Sequence, residues 1–207
     1  MYNSNLGFIV EGHCEFEAIP SFVGRSLGYF NFPIHNARGI GNIIKNLDQE
    51  LLFLVKNYKP KNIIITLDSA DAINQGFCNT CVELKNLIIS NTESFLETQK
   101  NGSLILPENI VTVIADKTYD TWVCSDLDGL KTCELIDANQ IDETFINVDE
   151  EILAPASWIK SKLASSAVNP KNRRHRKKIA SAIRPEVGRE FSPSFDKFLR
   201  EVEKNAA

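Results

Sequence analysis

Three short apolar runs, each closed by a carboxylate, constrain this chain more than anything else in it. Leu6–Val10 (LGFIV) runs into Glu11, Asn62–Leu67 (NIIITL) into Asp68, and Asn109–Ala115 (NIVTVIA) into Asp116. Short continuous apolar runs of this kind read as strands buried on both faces, as in a parallel sheet. Segments of helical period separate them. Phe16, Ile19, Phe22, Val23 and Leu27 share a face over Cys14 to Leu27, where Pro20 predicts a kink or a restart at Ser21. Tyr29 to His35 has the length of a short strand. Ile43, Ile44, Leu47, Leu51, Leu54 and Val55 form a second amphipathic face, and a further helix is expected from about Thr80 to Thr98. The alternation predicts an α/β fold, a parallel sheet flanked by helices.

After about Asp126 the character changes. Asp126 to Glu151 is rich in acids, and three helices are expected at Ala156 to Ala167, Asn172 to Ile183 and Ser194 to Val202. The organisation predicted is an α/β domain over residues 1–130 and a helical C-terminal extension, 131–207, packed on it.

In parallel α/β sheets ligands bind at the carboxyl ends of the strands. Glu11, then Asp68 and Asp71, then Asp116 and Asp120 follow the three buried strands, so acids are delivered to one sheet edge. Crowded carboxylates repel unless a cation neutralises them, and hard oxygen ligands suit Mg²⁺ or Mn²⁺. Glu11 and Glu15 stand four apart across a strand-to-helix junction, where Gly12 permits a sharp turn and both carboxylates can reach one cation. The plainer reading of Glu15 and Glu17 is that acids in a first helical turn complement the helix dipole.

Net charge is -4 and the pI about 5.5. Bulk charge therefore does not hold nucleic acid, and any such contact is local. The one basic island is NPKNRRHRKK, Asn169 to Lys178, with Lys171, Arg173, Arg174, Arg176 and Lys177 as candidate backbone contacts. The alternative is a solvated helix face that pairs with the acidic stretch before it. The glycine-rich RGIGN, Arg38 to Asn42, either offers amides to a phosphate or simply opens a helix. Trp122 after Asp120 reads as core or as a base-stacking platform. Three histidines and no Ser-His-Asp order give a hydrolytic triad little support.

Cys78-Asn-Thr-Cys81 lacks the second ligand pair of a zinc site. Five cysteines, no basic region ahead of the first apolar run, and no run of the roughly 20 apolar residues a membrane span needs predict a cytoplasmic protein with no membrane contact.

Several of these segments carry a resemblance. FIVEGHCE resembles the first motif of the Toprim superfamily, and IIITLDSAD its second. More narrowly, the chain resembles a family of small bacterial Toprim-like proteins. In these, a VEG-x-[ST]-E pattern opens the fold and an acid-x-Trp motif follows the third strand, as Asp120-Thr121-Trp122 does here. A Pro-Lys pair and a terminal Ser-x-Ser-Phe segment resemble Pro170-Lys171 and Ser192-Pro193-Ser194-Phe195. The usual second motif is Asp-x-Asp, whereas this chain has Asp68-Ser-Ala-Asp71; the added residue could carry Asp71 elsewhere on its loop.

The resemblance implies Mg²⁺-dependent phosphodiester chemistry akin to that of overcoming-lysogenisation-defect-type nucleases. It implies metal ligands at Glu11, Glu15, Asp68 and Asp71, with Asp120 as an additional or outer ligand. It also implies catalytic roles for Glu11 and for Lys171 as a phosphate-stabilising cation. The substrate implied is nucleic acid, DNA ahead of RNA, in phage defence beside an ATPase partner. Two rival readings belong to other classes: a non-catalytic module that docks an ATPase or senses nucleic acid, and a small-molecule phosphatase or phosphotransferase.

Overall fold

The structure, a computed structural model, describes residues 5–137, 143–164 and 172–206. Four strands form one sheet: β1 (Leu6–Val10), β2 (Ile34–Asn36), β3 (Asn62–Asp68) and β4 (Asn109–Ala115), in the order β2-β1-β3-β4 and all parallel. The α/β class and the helical C-terminal region are as the sequence predicts. Parallel neighbours require crossovers, and helices α1 (His13–Leu27), α2 (Ile40–Tyr58), α3 (Ser69–Asn74) and α4 (Cys81–Gln99) supply them.

Strand periodicity divides the core. Leu6, Phe8 and Val10 point to one face, where they join Ile64, Val113, the buried face of α1 and the C-terminal helices. Ile9, Ile63 and Ile65 point to the other, against Ile43, Leu47, Leu51 and Leu54 of α2 and Leu84, Ile88 and Phe95 of α4. With both faces covered, the strands are apolar throughout, which is why their runs do not alternate.

Beyond β4 come α5 (Asp120–Cys124), α6 (Leu127–Thr132), α7 (Val148–Glu151), α8 (Pro155–Lys162), α9 (Arg173–Ala182), α10 (Pro185–Phe191) and α11 (Pro193–Ala206). The helix expected over Ala156 to Ala167 ends by Lys162, and residues 165–171 lie outside the described residues. The α10 helix was not expected, because Pro185 and Gly188 mask its short pattern. Gly188 is close-packed: an added Cβ would come within 2.5 Å of Ser125 Oγ and 3.0 Å of the Phe195 ring. Helices α9–α11 pack on α1 and share its apolar core.

Pro20 does not break α1, contrary to expectation. The carbonyl its ring cannot serve belongs to Phe16, and both residues are half-buried and line an open pocket. The irregular point lies instead in α2, at Asn46 (φ -130°, ψ 26°). Among the described residues, no helix is long and apolar enough to cross a membrane.

Candidate functional site

Glu11 is the first residue past β1 and is held at both ends. Its carbonyl accepts from Gly39 N at 2.8 Å, and its Oε2 accepts from Asp68 N at 3.1 Å. The Gly39 amide is thus spent on the strand end. Gly39 (φ 120°) makes the turn that opens α2, so RGIGN serves as the start of a helix.

Asp68 ends β3 opposite Ala115 of β4. Its Oδ1 accepts from Tyr119 N at 2.8 Å, which ties it to the loop after β4. That loop is fastened again by Lys117, whose amide donates to Ser69 Oγ at 2.9 Å and whose carbonyl accepts from Ala70 N at 2.8 Å. Glu15 sits in the first turn of α1, buried to 6% exposure. Gly12 makes room for it: a Cβ there would stand 3.2 Å from Glu15 Oε2. Glycine at this junction therefore serves the carboxylate as well as the turn.

These residues, with Asp71 and Asp120, line one open pocket of about 330 Å³ at the carboxyl edge of the sheet. Asp71 faces it despite the added residue, because α3 begins at Ser69 and places Asp71 in its first turn. The third strand contributes Asp120, which opens α5, whereas Asp116 is exposed and lies outside the pocket. His13 and Arg38 complete the rim.

Burial and crowding shift the ionisation of four of these acids. Burial, reinforced by the charges of Glu15 and Asp71, outweighs the Asp68 amide and pushes the Glu11 carboxyl up to about 8. Burial, with Asp120 and Asp71 nearby, raises Glu15 to about 7. Burial, with Glu15 and Glu11 adjacent, holds Asp68 well above the usual carboxylate range. Burial and Asp71 raise Asp120 to about 6. Clustered acids lifted together are the signature of a site that lacks its counter-charge. The donor set is all oxygen and suits Mg²⁺ or Mn²⁺. Even so, among the described residues no group of three or more His, Cys, Asp or Glu side chains is already set to hold an ion. The carboxylates share a pocket and not a finished coordination sphere. Burial, with Glu15 and Asp120 nearby, pushes the Cys14 thiol up to about 12, which disfavours the thiolate a nucleophile needs.

The cations lie to one side. A second pocket, of about 180 Å³, shares Cys14, Tyr119 and Asp120 with the first and is bordered by Lys160 and Arg176. Arg173 Nε lies 2.6 Å from Glu17 Oε1, and Lys177 Nζ lies 3.5 Å from Glu17 Oε2. Among the described residues the basic helix is thus anchored on α1 through Glu17. Arg174 is exposed, and Lys171 lies outside the described residues. Sequence reasoning missed Glu17 as this anchor and Lys160 as a rim cation. An acid on the apolar side of α1 was the available signal for Glu17, and Lys160 had none.

Trp122 is core. It stacks on Phe195 and Phe198, at centroid distances of 5.3 and 4.9 Å, and its Nε1 donates to Ser194 Oγ at 2.9 Å. The Asp-Thr-Trp and Ser-Pro-Ser-Phe segments, about 70 residues apart in sequence, therefore meet in one cluster.

No family model matches this chain, and no curated protein does. Among solved structures it is similar to the C-terminal region of the Burkholderia pseudomallei OLD protein, with a TM-score of 0.38 and 13% identity over 100% of each chain. A likeness that distant carries no argument, and the function has to be argued from the pocket.

Proposed function

We propose that this protein is a divalent-metal-dependent phosphodiesterase acting on nucleic acid, with the acidic pocket as its catalytic centre. One observation carries the reading: carboxylates following three buried strands share a single open pocket, where burial and the charge of their acidic neighbours hold four of them above their ordinary pKa. The motif resemblance points to the same residues. Glu11, Glu15, Asp68 and Asp71 would hold the ion, with Asp120 beside them. Bound there, Mg²⁺ or Mn²⁺ would neutralise phosphate charge and acidify an attacking water.

The chain's own contribution is placement. The Asp68 amide fixes the Glu11 carboxylate, and the Tyr119 amide fixes that of Asp68, so neither has to reorganise when substrate arrives. Arg38 at one rim, and Arg176 and Lys160 at the other, offset the charge of a phosphodiester entering the pocket. Lys171 is kept as a further phosphate contact. Hydrolysis adds water across a P–O ester bond, its oxygen going to phosphorus and its proton to the departing oxygen.

The rival, a non-catalytic module that docks an ATPase or senses nucleic acid, is favoured by one observation: no ready-made ion cage exists among the described residues. Cleavage of labelled DNA and RNA with and without Mn²⁺, by wild type and Glu11→Gln, separates the two. Metal-dependent cleavage that the variant loses by a hundredfold or more supports the enzyme. Calorimetry showing no Mn²⁺ uptake, together with no cleavage of any strand, would leave the docking module.

A further inference from the structure

We propose that the pocket between α1, β2 and α9 seats the bases of a single-stranded polynucleotide. This makes a single strand the preferred substrate of the neighbouring acidic site, and to that extent it rests on the function proposed above. The pocket measures about 400 Å³, within the roughly 300–1,000 Å³ of ordinary ligand sites. Phe16, Phe30 and Tyr58 line it, and so do Arg173 and Lys177.

Phe30 is the telling residue. It is 62% exposed, yet it does not project freely: an added Cβ on Gly24 would strike its ring at 2.1 Å. Gly24 thus lets the ring lie against α1, with much of its surface turned to water. An aromatic face held in place in this way suits stacking on a base, which tolerates any sequence because every base has a π-face.

The charge beside it matches. Glu17 is 7% exposed and holds both Arg173 and Lys177. Two cations against one carboxylate leave a net positive rim, and Arg174 and Lys178 extend it along the exposed side of α9. In a chain of net charge -4 this is a local attraction for a phosphate backbone. The geometry connects the two sites. Cys14 and Glu15 face the acidic pocket, while Phe16 and Glu17, the next residues of α1, face this one. A strand crossing the first turns of α1 would place bases on the aromatics and a phosphate at the carboxylates. A duplex, whose bases are already stacked, cannot use Phe30.

The test is fluorescence anisotropy of the full chain in EDTA, which separates binding from cleavage, with labelled oligo(dT), oligo(U) and a duplex of equal length. We expect at least tenfold tighter binding of one or both single strands than of duplex. Phe30→Ala should weaken single-strand binding about 5- to 150-fold, at the roughly 1–3 kcal/mol typical of base stacking, and change duplex binding less than twofold. Lys177→Ala should reduce the salt slope by about 0.7. Preference of oligo(dT) over oligo(U), or the reverse, identifies the natural strand. Equal affinity for single strand and duplex, or single-strand binding that Phe30→Ala leaves intact, overturns the proposal. So would a dimer that Phe30→Ala dissociates without any effect on single-strand binding, since the patch would then be a protein contact. Because metal is absent throughout, failure here is distinct from failure of Mn²⁺-dependent cleavage.

Discussion

Asp126 and Glu11 are both buried acids just ahead of a helix, and their surroundings drive them in opposite directions. Asp126 is 1% exposed. It receives Arg184 Nη2 at 2.6 Å, Arg184 Nε and the Arg184 amide at 2.8 Å each, and the Gly129 amide at 2.9 Å. Burial alone would raise its carboxyl, but the Arg184 hydrogen bonds outweigh that and hold it below the usual range. Asp149 is satisfied in the same manner, by Ser192 Oγ at 2.6 Å and Ser194 N at 2.7 Å. Glu11 has one amide, and the charges pressed on it are acids. Buried acids with a complete donor set hold the fold together. Buried acids surrounded by acids cost stability unless a cation neutralises them.

The largest effect should come from unbalancing the satisfied side. Arg184→Ala leaves Asp126 buried with two backbone donors. Asp126 is buried but the Arg184 side chain is 42% exposed, so we expect a loss of about 3 kcal/mol, at the upper end for hydrogen bonds to a charged group, and a Tm lower by roughly 6–12 °C. A shift under 2 °C in thermal unfolding would show that this pair is not structural and would undo the comparison. Next in size is the effect of supplying what the other side lacks. Mn²⁺ at a hundred times its Kd should stabilise the fold by about 2.7 kcal/mol, and EDTA should reverse the gain. Glu11→Gln should abolish the Mn²⁺ shift while itself raising the metal-free Tm at pH 8, because it removes one crowded charge. A variant that keeps the full shift would exclude Glu11 as a ligand.

The same contrast sets a pH window. Asp126 has a depressed pKa, so its stabilisation is present above the unfolded carboxylate value near 4 and is lost as pH falls below it. Glu11 and Glu15 have raised values, about 8 and 7. Their stabilisation is complete below about 4.5 and drains away as pH rises through 7 and 8. The metal-free protein should therefore be most stable near pH 5 and lose about 5 °C of Tm by pH 8.5. Mn²⁺ should flatten the alkaline side only. A metal-free Tm that rises from pH 5 to 8.5 would contradict the crowding described here.

The fold was legible because buried parallel strands cannot alternate and so advertise themselves, and the acids after them marked the edge where the acidic pocket lies. Two parts were not. Which acid after β4 enters the pocket depends on a loop turned by Lys117, and no pattern distinguishes Asp120 from Asp116 before that turn is seen. The satisfied acids were equally hidden. Asp126 and Arg184 are 58 residues apart, as are no neighbours in a helix or hairpin, and the acidic stretch gave no sign of which of its acids is buried. The basic helix could be seen, but its anchor, Glu17, sits on a different element and was read as a helix-dipole acid. Long-range pairing of single charged residues leaves no periodicity, so only the folded chain reveals it.

The smallest predicted effect bears on whether the two regions are separate at all. Trp122 links them: it lies two residues from Asp120 of the pocket, and its Nε1 donates to Ser194 Oγ, while the amide of Ser194 is held by Asp149. Ser194→Ala removes one acceptor from a buried indole and leaves the ring stacked on Phe195 and Phe198. The expected cost is about 1 kcal/mol, a fall in Tm of roughly 2–4 °C. If scaffold and pocket are independent, Mn²⁺ affinity measured by calorimetry should change less than twofold, because α5 stays in place and Asp120 keeps its position. A tenfold loss of Mn²⁺ affinity at so small a cost in stability would mean that the indole hydrogen bond positions Asp120. The satisfied cluster would then belong to the site, and the division between acids that hold the fold and acids that await a partner would be one of degree.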